Sequence, residues 1–281
     1  MKLITWNVQW CRGVDGRVDP TRIARTARAF ADFDVLCLQE IAVNFPGLPG
    51  SRGEDQTQEL SRTLPGYTVL FGAATDASGG EGRRQFGNAV VTRLPALQVF
   101  RHLLPWPADP AVPSMQRLAL EVVLESAHGP VRVISTHLEY YSSHQRLAQV
   151  DALRRLHHEV CSHALHPRVS GDPGGPFETL LRPSSALICG DFNFRPGSAE
   201  YAALTARYDD GETAALVDAW TLAHPGEAHE ITVGLYDETW EEAYCCDFVF
   251  VSEDLAPRVA RVEVESQTQA SDHQPLLVEL R

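Results

Sequence analysis

Along the 281-residue chain, short apolar runs of strand length alternate with segments of helical spacing, without the regular period of a βαβ barrel. Residues 2–8, KLITWNV, read as a first strand. DPTRIARTARAFADF then opens with Asp19 as N-cap and Pro20 at the first helical position, and Ile23, Ala27 and Phe30 make one apolar stripe. Residues 34–40, DVLCLQE, are a continuous apolar run closed by a carboxylate, the pattern of a strand buried on both faces. A helix near 55–64 precedes YTVLFG. FGNAVVTRL, ALQVFRHL, QRLALEVVLES and GPVRVISTHLE follow as successive strands, the last two joined by a hairpin-like AHGP turn.

SSHQRLAQVDALRRLHHEV is the clearest helix, with Ser142 and Gln145 at capping-box spacing and Leu147, Val150, Leu153, Leu156 and Val160 on its expected buried face. RVSGDPGGPFETLLRPS is Gly- and Pro-rich and reads as a surface loop. SALICGD, YCCDFVFVS, PRVARVEVES and HQPLLVEL are the remaining strands. Strands paired locally on both sides of a central helix suggest two packed sheets with helices outside.

Polar residues interrupt these strands at their ends. Asn7 closes the first, Glu40 the second and His137 closes RVISTHL. Asp191 and Asn193 follow ALIC, Asp247 opens DFVFV, and Asp272 and His273 precede QPLLVEL. Taken singly, Asp191 and Asn193 suit an Asx turn as well as a ligand site. Glu40 and Asp247 fit filler roles less well, because an acid beside a buried run needs a partner. Several acids at strand ends repel one another unless a cation or histidinium offsets them. Hard oxygen donors without a His/Cys cluster suit Mg²⁺ or Mn²⁺ rather than zinc, and leave acids free for proton chemistry on a phosphate ester.

The bulk numbers narrow the partners. With 44% hydrophobic and 22% charged residues, the composition is that of an ordinary soluble globular protein. The 37 acidic and 24 basic residues give a formal charge of −13, which disfavours broad non-specific binding to nucleic acid. Lys2 is the sole lysine, so the positive charge is almost all guanidinium, suited to bidentate phosphate contacts. The six cysteines form no CxxC pair and several sit in apolar runs, as expected of buried free thiols in a reducing cytoplasm. The N-terminus is too polar for a signal peptide and no apolar run approaches a membrane span.

TWNVQ, CLQE, FGNAVVTRLP, STHLE, GDFNFRPGS, DFVFVS and SDH, in that order, resemble the endonuclease/exonuclease/phosphatase superfamily of DNase I-like metal-dependent phosphoesterases, over essentially the whole chain. The resemblance implies an α/β fold, a four-layer sandwich of two mixed sheets face to face with helices on both outer faces, as one domain over residues 1–281. It implies Glu40 as principal Mg²⁺ ligand, with Asn7 and Asp272 near the metal. Asp191 is then the residue that orients or deprotonates the attacking water, and Asn193 the holder of a phosphate oxygen. His273, paired with Asp247, contacts phosphate, and His137 stabilises charge on it. Arg117 and Asn88 match positions of substrate contact or support, and Asp218 matches an acid expected to be structural. The implied reaction is hydrolysis of a phosphodiester in nucleic acid or a small phosphorylated molecule. Phosphomonoesters, lipid headgroups and a non-catalytic binding role are the alternatives.

The chain departs from relatives that carry N-x-D, having Asn7-Val8-Gln9, and it lacks the N-x-Y-x-P-N motif of abasic-site endonucleases, which lowers the expectation of abasic-site repair. Substrate choice falls to the loops: WCRGVDGR, GAATDASGGEGRRQ, PWPADPAVP, residues 171–176 and LYDETWEEAYCC. There Arg12, Arg83 and Arg84 offer phosphate contacts, and Trp10, Trp106 and Trp240 offer stacking surfaces.

Overall fold

A strand with two apolar faces is satisfied only between two other layers, and the chain builds those layers from two six-stranded mixed sheets packed face to face. The computed structural model describes residues 1–80, 82–127, 129–237 and 239–281. Glu81, His128 of the AHGP turn, and Glu238 lie outside them. The first sheet runs β11 (Val259–Val264), β12 (Leu276–Leu280), β1 (Lys2–Asn7), β2 (Val35–Val43), β4 (Gly82–Thr92) and β3 (Thr68–Gly79). The second runs β5 (Ala96–Leu103), β6 (Leu118–Ser126), β7 (Gly129–His137), β8 (Ala186–Asp191), β10 (Asp247–Ser252) and β9 (Leu216–Asp218). Only β1–β2 and β7–β8 pair in parallel; the remaining pairs are antiparallel.

In β1, Leu3 points into the core between the sheets, and Ile4 and Trp6 point outward to α1 (Pro20–Phe30) and α2 (Gln56–Thr63). On the far side Ile134 and Ile188 pack under α3 (Ser143–Leu165) and α4 (Ala199–Thr205). A short α5 (Ala219–Ala223) follows β9. The expected caps at Asp19 and Ser142 form, accepting from the Arg22 and Gln145 N–H groups, and Ser198 caps α4 by accepting from the Tyr201 N–H. All six cysteines are buried free thiols. No helix among the described residues is long and apolar enough to cross a membrane.

Four expectations need correction. Strand β2 does not end at Glu40 but continues to Val43, with a register shift between Leu38 and Ile41. In GAATDASGGEGRRQ, residues 72–79 and 82–85 are strand and not loop: β3 and β4 pair as far as Gly79 and Gly82. This end of the β3–β4 ladder buries little, so it carries no apolar pattern to read. β9 was too short to register. In α3 the buried positions include Gln145, Gln149 and His157, whereas Leu147 is 40% exposed. The glutamines bind the preceding loop, Gln145 Nε2 donating to Pro107 O (2.7 Å) and Gln149 Nε2 to Pro105 O (3.2 Å). Gln145 therefore does not close a capping box, and a face buried through polar side chains escapes a hydrophobicity pattern.

A charged cluster is buried under α3. Glu121 accepts two 2.7 Å bonds from Arg182 and lies 2.9 Å from His102, with Arg132, fully buried, 3.8 Å away. Burial raises the Glu121 pKa, but the bonds from Arg182 and His102 outweigh it and bring the group down to about 2 from an ordinary 4.5. A depressed carboxyl contributes stability above its unfolded pKa and loses it as pH falls through its folded value. The contribution is therefore present above about pH 4.5 and disappears towards pH 2, amounting to about 3 kcal/mol. Denaturant midpoints between pH 6 and 2 will fall more steeply for the wild type than for Glu121→Gln; parallel curves would contradict the assignment.

Candidate active site

Both parallel pairs end on the same rim of the sandwich, so polar residues remote in sequence converge there. Asn7 stands beside Gln39 on β1 and β2, and His137 beside Asp191 on β7 and β8, with Asp247 across from Asp191 on β10. The loop before β12 adds Asp272 and His273. All but Gln39 and Asp247 line a cleft of about 1030 Å³, and Asp247 lies behind His273.

The backbone is bent to aim these groups. Glu40 has φ +63°, a left-handed value inside the β2 bulge that turns its carboxylate out of the pleat. Gln9, Trp10 and Asn193 are also at positive φ. Such residues each cost about 1–3 kcal/mol and concentrate at sites of function. Gly190, at φ +140°, precedes Asp191 where β8 crowds β7: a Cβ there would lie 1.8 Å from Thr136 O.

Asn7 is 1% exposed and reaches the site through its amide nitrogen, donating to Asp191 Oδ2 (2.9 Å) and Glu40 Oε1 (3.2 Å). Its oxygen accepts from the Gln9 N–H (3.1 Å), so Asn7 is fixed between the loop backbone and two carboxylates. Gln9 in turn donates to Asp272 Oδ2 (2.8 Å), taking up that acid without supplying charge. Glu40 is 18% exposed at its side chain; burial, then the charge of Asp272, push its pKa up to about 7.

Asp191 Oδ1 accepts the Asn193 N–H at 2.9 Å, so the Asx turn is formed and the carboxylate still faces the cleft. Its Oδ2 lies 3.4 Å from His137 Nε2 and 3.7 Å from His273 Nε2. Asn193 spends both amide hydrogens, on His137 Nε2 and Leu138 O, each at 3.0 Å. It is thereby placed to orient His137. Burial, then Arg117, lower the His137 pKa to about 3, leaving the imidazole neutral. His273 is the opposite case. Burial lowers its pKa, but Asp247, 2.8 Å from Nδ1, and Asp191 prevail and raise it well above the ordinary 6.5.

Arg117 lines the cleft, its Nε held at 3.2 Å by fully buried Glu139. Its terminal nitrogens have no partner among the described residues. Asn88 does not reach the cleft; its amide ties the sheets together by donating to Leu118 O (3.0 Å) and Ser135 O (3.3 Å). Asp218 caps α5 through the Trp220 N–H and accepts from Tyr201 and His229, as expected of a structural acid. Of the loop candidates, Trp10 and Trp240 line the cleft. Arg12 bonds Gln9, Arg83 pairs with Asp76, Arg84 lies over Phe45, and Trp106 bonds Ser114, all outside the cleft lining.

Sequence reasoning missed Glu139, the partner of Arg117, and Thr232, whose hydroxyl accepts the N–H groups of Cys246 and Asp247 (both 3.1 Å). An adjacent acid two residues after His137 was the available signal for Glu139; nothing marks Thr232. The fold also makes the His/Cys cluster that the sequence lacks, bringing donors of Asp191, Cys246 and His273 within 4.8 Å. Burial, then Asp191 and Asp247, hold the Cys246 thiol well above its usual pKa, so it stays a protonated neighbour of the histidine.

Two sheets with a rim of carboxylates, histidines and an anchored arginine define a hydrolase-type cleft on a DNase I-like sandwich. The chain belongs to the Endonuclease/Exonuclease/phosphatase family, whose model matches residues 4–273. The bonds this family cuts are phosphate esters. Among solved structures it is similar over its full length to an endonuclease/exonuclease/phosphatase from Beutenbergia cavernae (24% identity, TM-score 0.69, 71% of that chain). It is similar in the same way to a mannosyl-6-phosphatase from Bacteroides thetaiotaomicron (18%, 0.67, 99% of that chain). Truncated Caenorhabditis elegans TDP2 matches 99% of this chain and 96% of its own (17%, 0.64). No curated protein sequence matches.

Proposed function

We propose that the chain is a divalent-metal-dependent phosphodiesterase that hydrolyses its substrate with a water activated beside Asp191. The observation that carries the reading is the convergence of Glu40, Asp191 and Asp272 on the floor of one cleft, next to His273 and Arg117. Such an excess of hard, anionic oxygen donors fits Mg²⁺ or Mn²⁺. Glu40 and Asp272 would hold the ion, and Asn7 and Gln9 would fix those carboxylates. Bound there, it supplies charge neutralisation on phosphate oxygens and makes water more acidic.

The remaining work belongs to the side chains. Asp191, steered by Asn7, accepts the proton of the attacking water. His273, kept protonated by Asp247, donates from Nε2 to a phosphate oxygen, and Arg117 offers the terminal nitrogens that Glu139 leaves free. His137, set by Asn193, adds a neutral donor or acceptor. Small phosphate monoesters or lipid headgroups are the second reading, favoured because every arginine in the cleft already faces an acid. Turnover of bis-p-nitrophenyl phosphate tests the proposal: it should require Mg²⁺ or Mn²⁺ and stop on chelation.

A further inference from the structure

Three successive residues other than glycine, Gln9, Trp10 and Cys11, stand in the left-handed region at φ +46°, +44° and +60°. L side chains crowd the backbone there, so such a run persists only where its surroundings fix it. The turn carries two groups of the cleft: Trp10 lines it, and Gln9 holds Asp272 Oδ2 at 2.8 Å. The second strained segment is the β2 bulge with Glu40, which ends at Ile41, where the ladder with β4 resumes.

Both segments meet one side chain that is not part of the cleft lining. Gln56 opens α2 and is fully buried, and a bridge between Val43 and Asp55 brings this helix start back beside β2. Its amide makes all four bonds open to it. Nε2 donates to Trp10 O at 2.7 Å and to Glu54 Oε1 at 3.3 Å, while Oε1 accepts from the Ala42 N–H at 2.9 Å and from the Cys11 thiol at 3.7 Å. Strand β1 accompanies β2 only as far as Gln39, so the Ala42 N–H has no strand to meet on that side, and Gln56 takes it up. One buried amide thereby ties the left-handed turn to the strand two residues past Glu40.

We propose that Gln56 is a positioning residue of the reaction: it sets the separation of Glu40 and Asp272, the two carboxylates assigned to the ion, while bonded to neither. The inference rests on the metal-dependent reading. Without the amide, Trp10 O and the Ala42 N–H lose their partner, and turn and bulge relax independently of each other. Loss of an outer partner that orients metal ligands weakens metal binding by about tenfold or more.

The test is Mn²⁺ binding by the full chain, read by calorimetry and by the spin-resonance signal of the free ion, for the wild type, Gln56→Met and Leu60→Ala. Leu60 is fully buried one turn further along α2 in the apolar cluster, so its truncation reports lost packing alone. Gln56→Met should raise the Mn²⁺ Kd about tenfold, and Leu60→Ala should leave it within about twofold although it lowers the thermal midpoint. An unchanged Kd in Gln56→Met, or an equal rise in both variants, overturns the positioning role. Should Gln56→Met fail to fold, the wild type carries the test through deuterium exchange of the Ala42 N–H. Coupling acts in both directions, so saturation with Mg²⁺ should slow that exchange about threefold or more, and exchange indifferent to the bound ion overturns the role. A wild type that binds neither ion sinks the metal-dependent reading itself, whereas wild-type binding with an unmoved Gln56→Met sinks the positioning role alone.

Discussion

Asp191→Asn should lower kcat/KM by about 10³-fold or more while leaving the fold intact. The substitution preserves the shape of the side chain and an oxygen for the Asn193 N–H, the bond at 2.9 Å that closes the turn. What it removes is the charge that accepts a proton, and with it the carboxylate 3.7 Å from His273 and 3.4 Å from His137. Loss of a positioned general base costs about 10²–10⁴-fold, and the lost counter-charge for an imidazolium adds to it. The thermal midpoint should move by only a few degrees. A variant that retains activity within tenfold, or that unfolds far below the wild type, would make Asp191 a turn residue first.

Gly190→Ala should be the most damaging single methyl in the chain for stability. Its Cβ would stand 1.8 Å from Thr136 O, within the parallel β7–β8 ladder, at a φ of +140° that other residues avoid. The strands must separate, and they carry His137 and Asp191 at adjacent register positions. A loss above about 4 kcal/mol is expected, which lowers the midpoint by roughly 10 °C or more. Gly197→Ala is the control. Gly197 also has positive φ, +75°, but nothing lies within 4 Å of its added Cβ, so the cost stays near 1–2 kcal/mol. Similar losses at the two positions would mean that backbone conformation, not the close approach of the strands, governs Gly190.

The two-sheet architecture was legible because strands buried on both faces leave unbroken apolar runs, as in residues 35–38, and because two helices announce themselves with side-chain caps. The convergence of the site was legible as well: polar residues at strand ends have one rim on which to meet. What pattern could not supply was side-chain orientation. Asn7 turned its nitrogen to the carboxylates, Asn193 spent its amide on His137, and Asn88 went into the seam between the sheets. Each of these depends on a hydrogen-bond partner more than thirty positions away or across a sheet, invisible to local sequence except where a motif had already aligned it. The bulge at Glu40 was hidden for a related reason, since a one-residue insertion in a strand leaves the composition of the run unchanged.

The most direct measurement of the central claim is the rate of bis-p-nitrophenyl phosphate hydrolysis by the chelator-stripped chain, before and after reloading with Mg²⁺ or Mn²⁺, beside Glu40→Gln. Turnover that is absent when stripped, returns on reloading and is lost in the variant is the predicted result. No activity above background with either ion at several pH values, or activity indifferent to chelation and to Glu40, would contradict it.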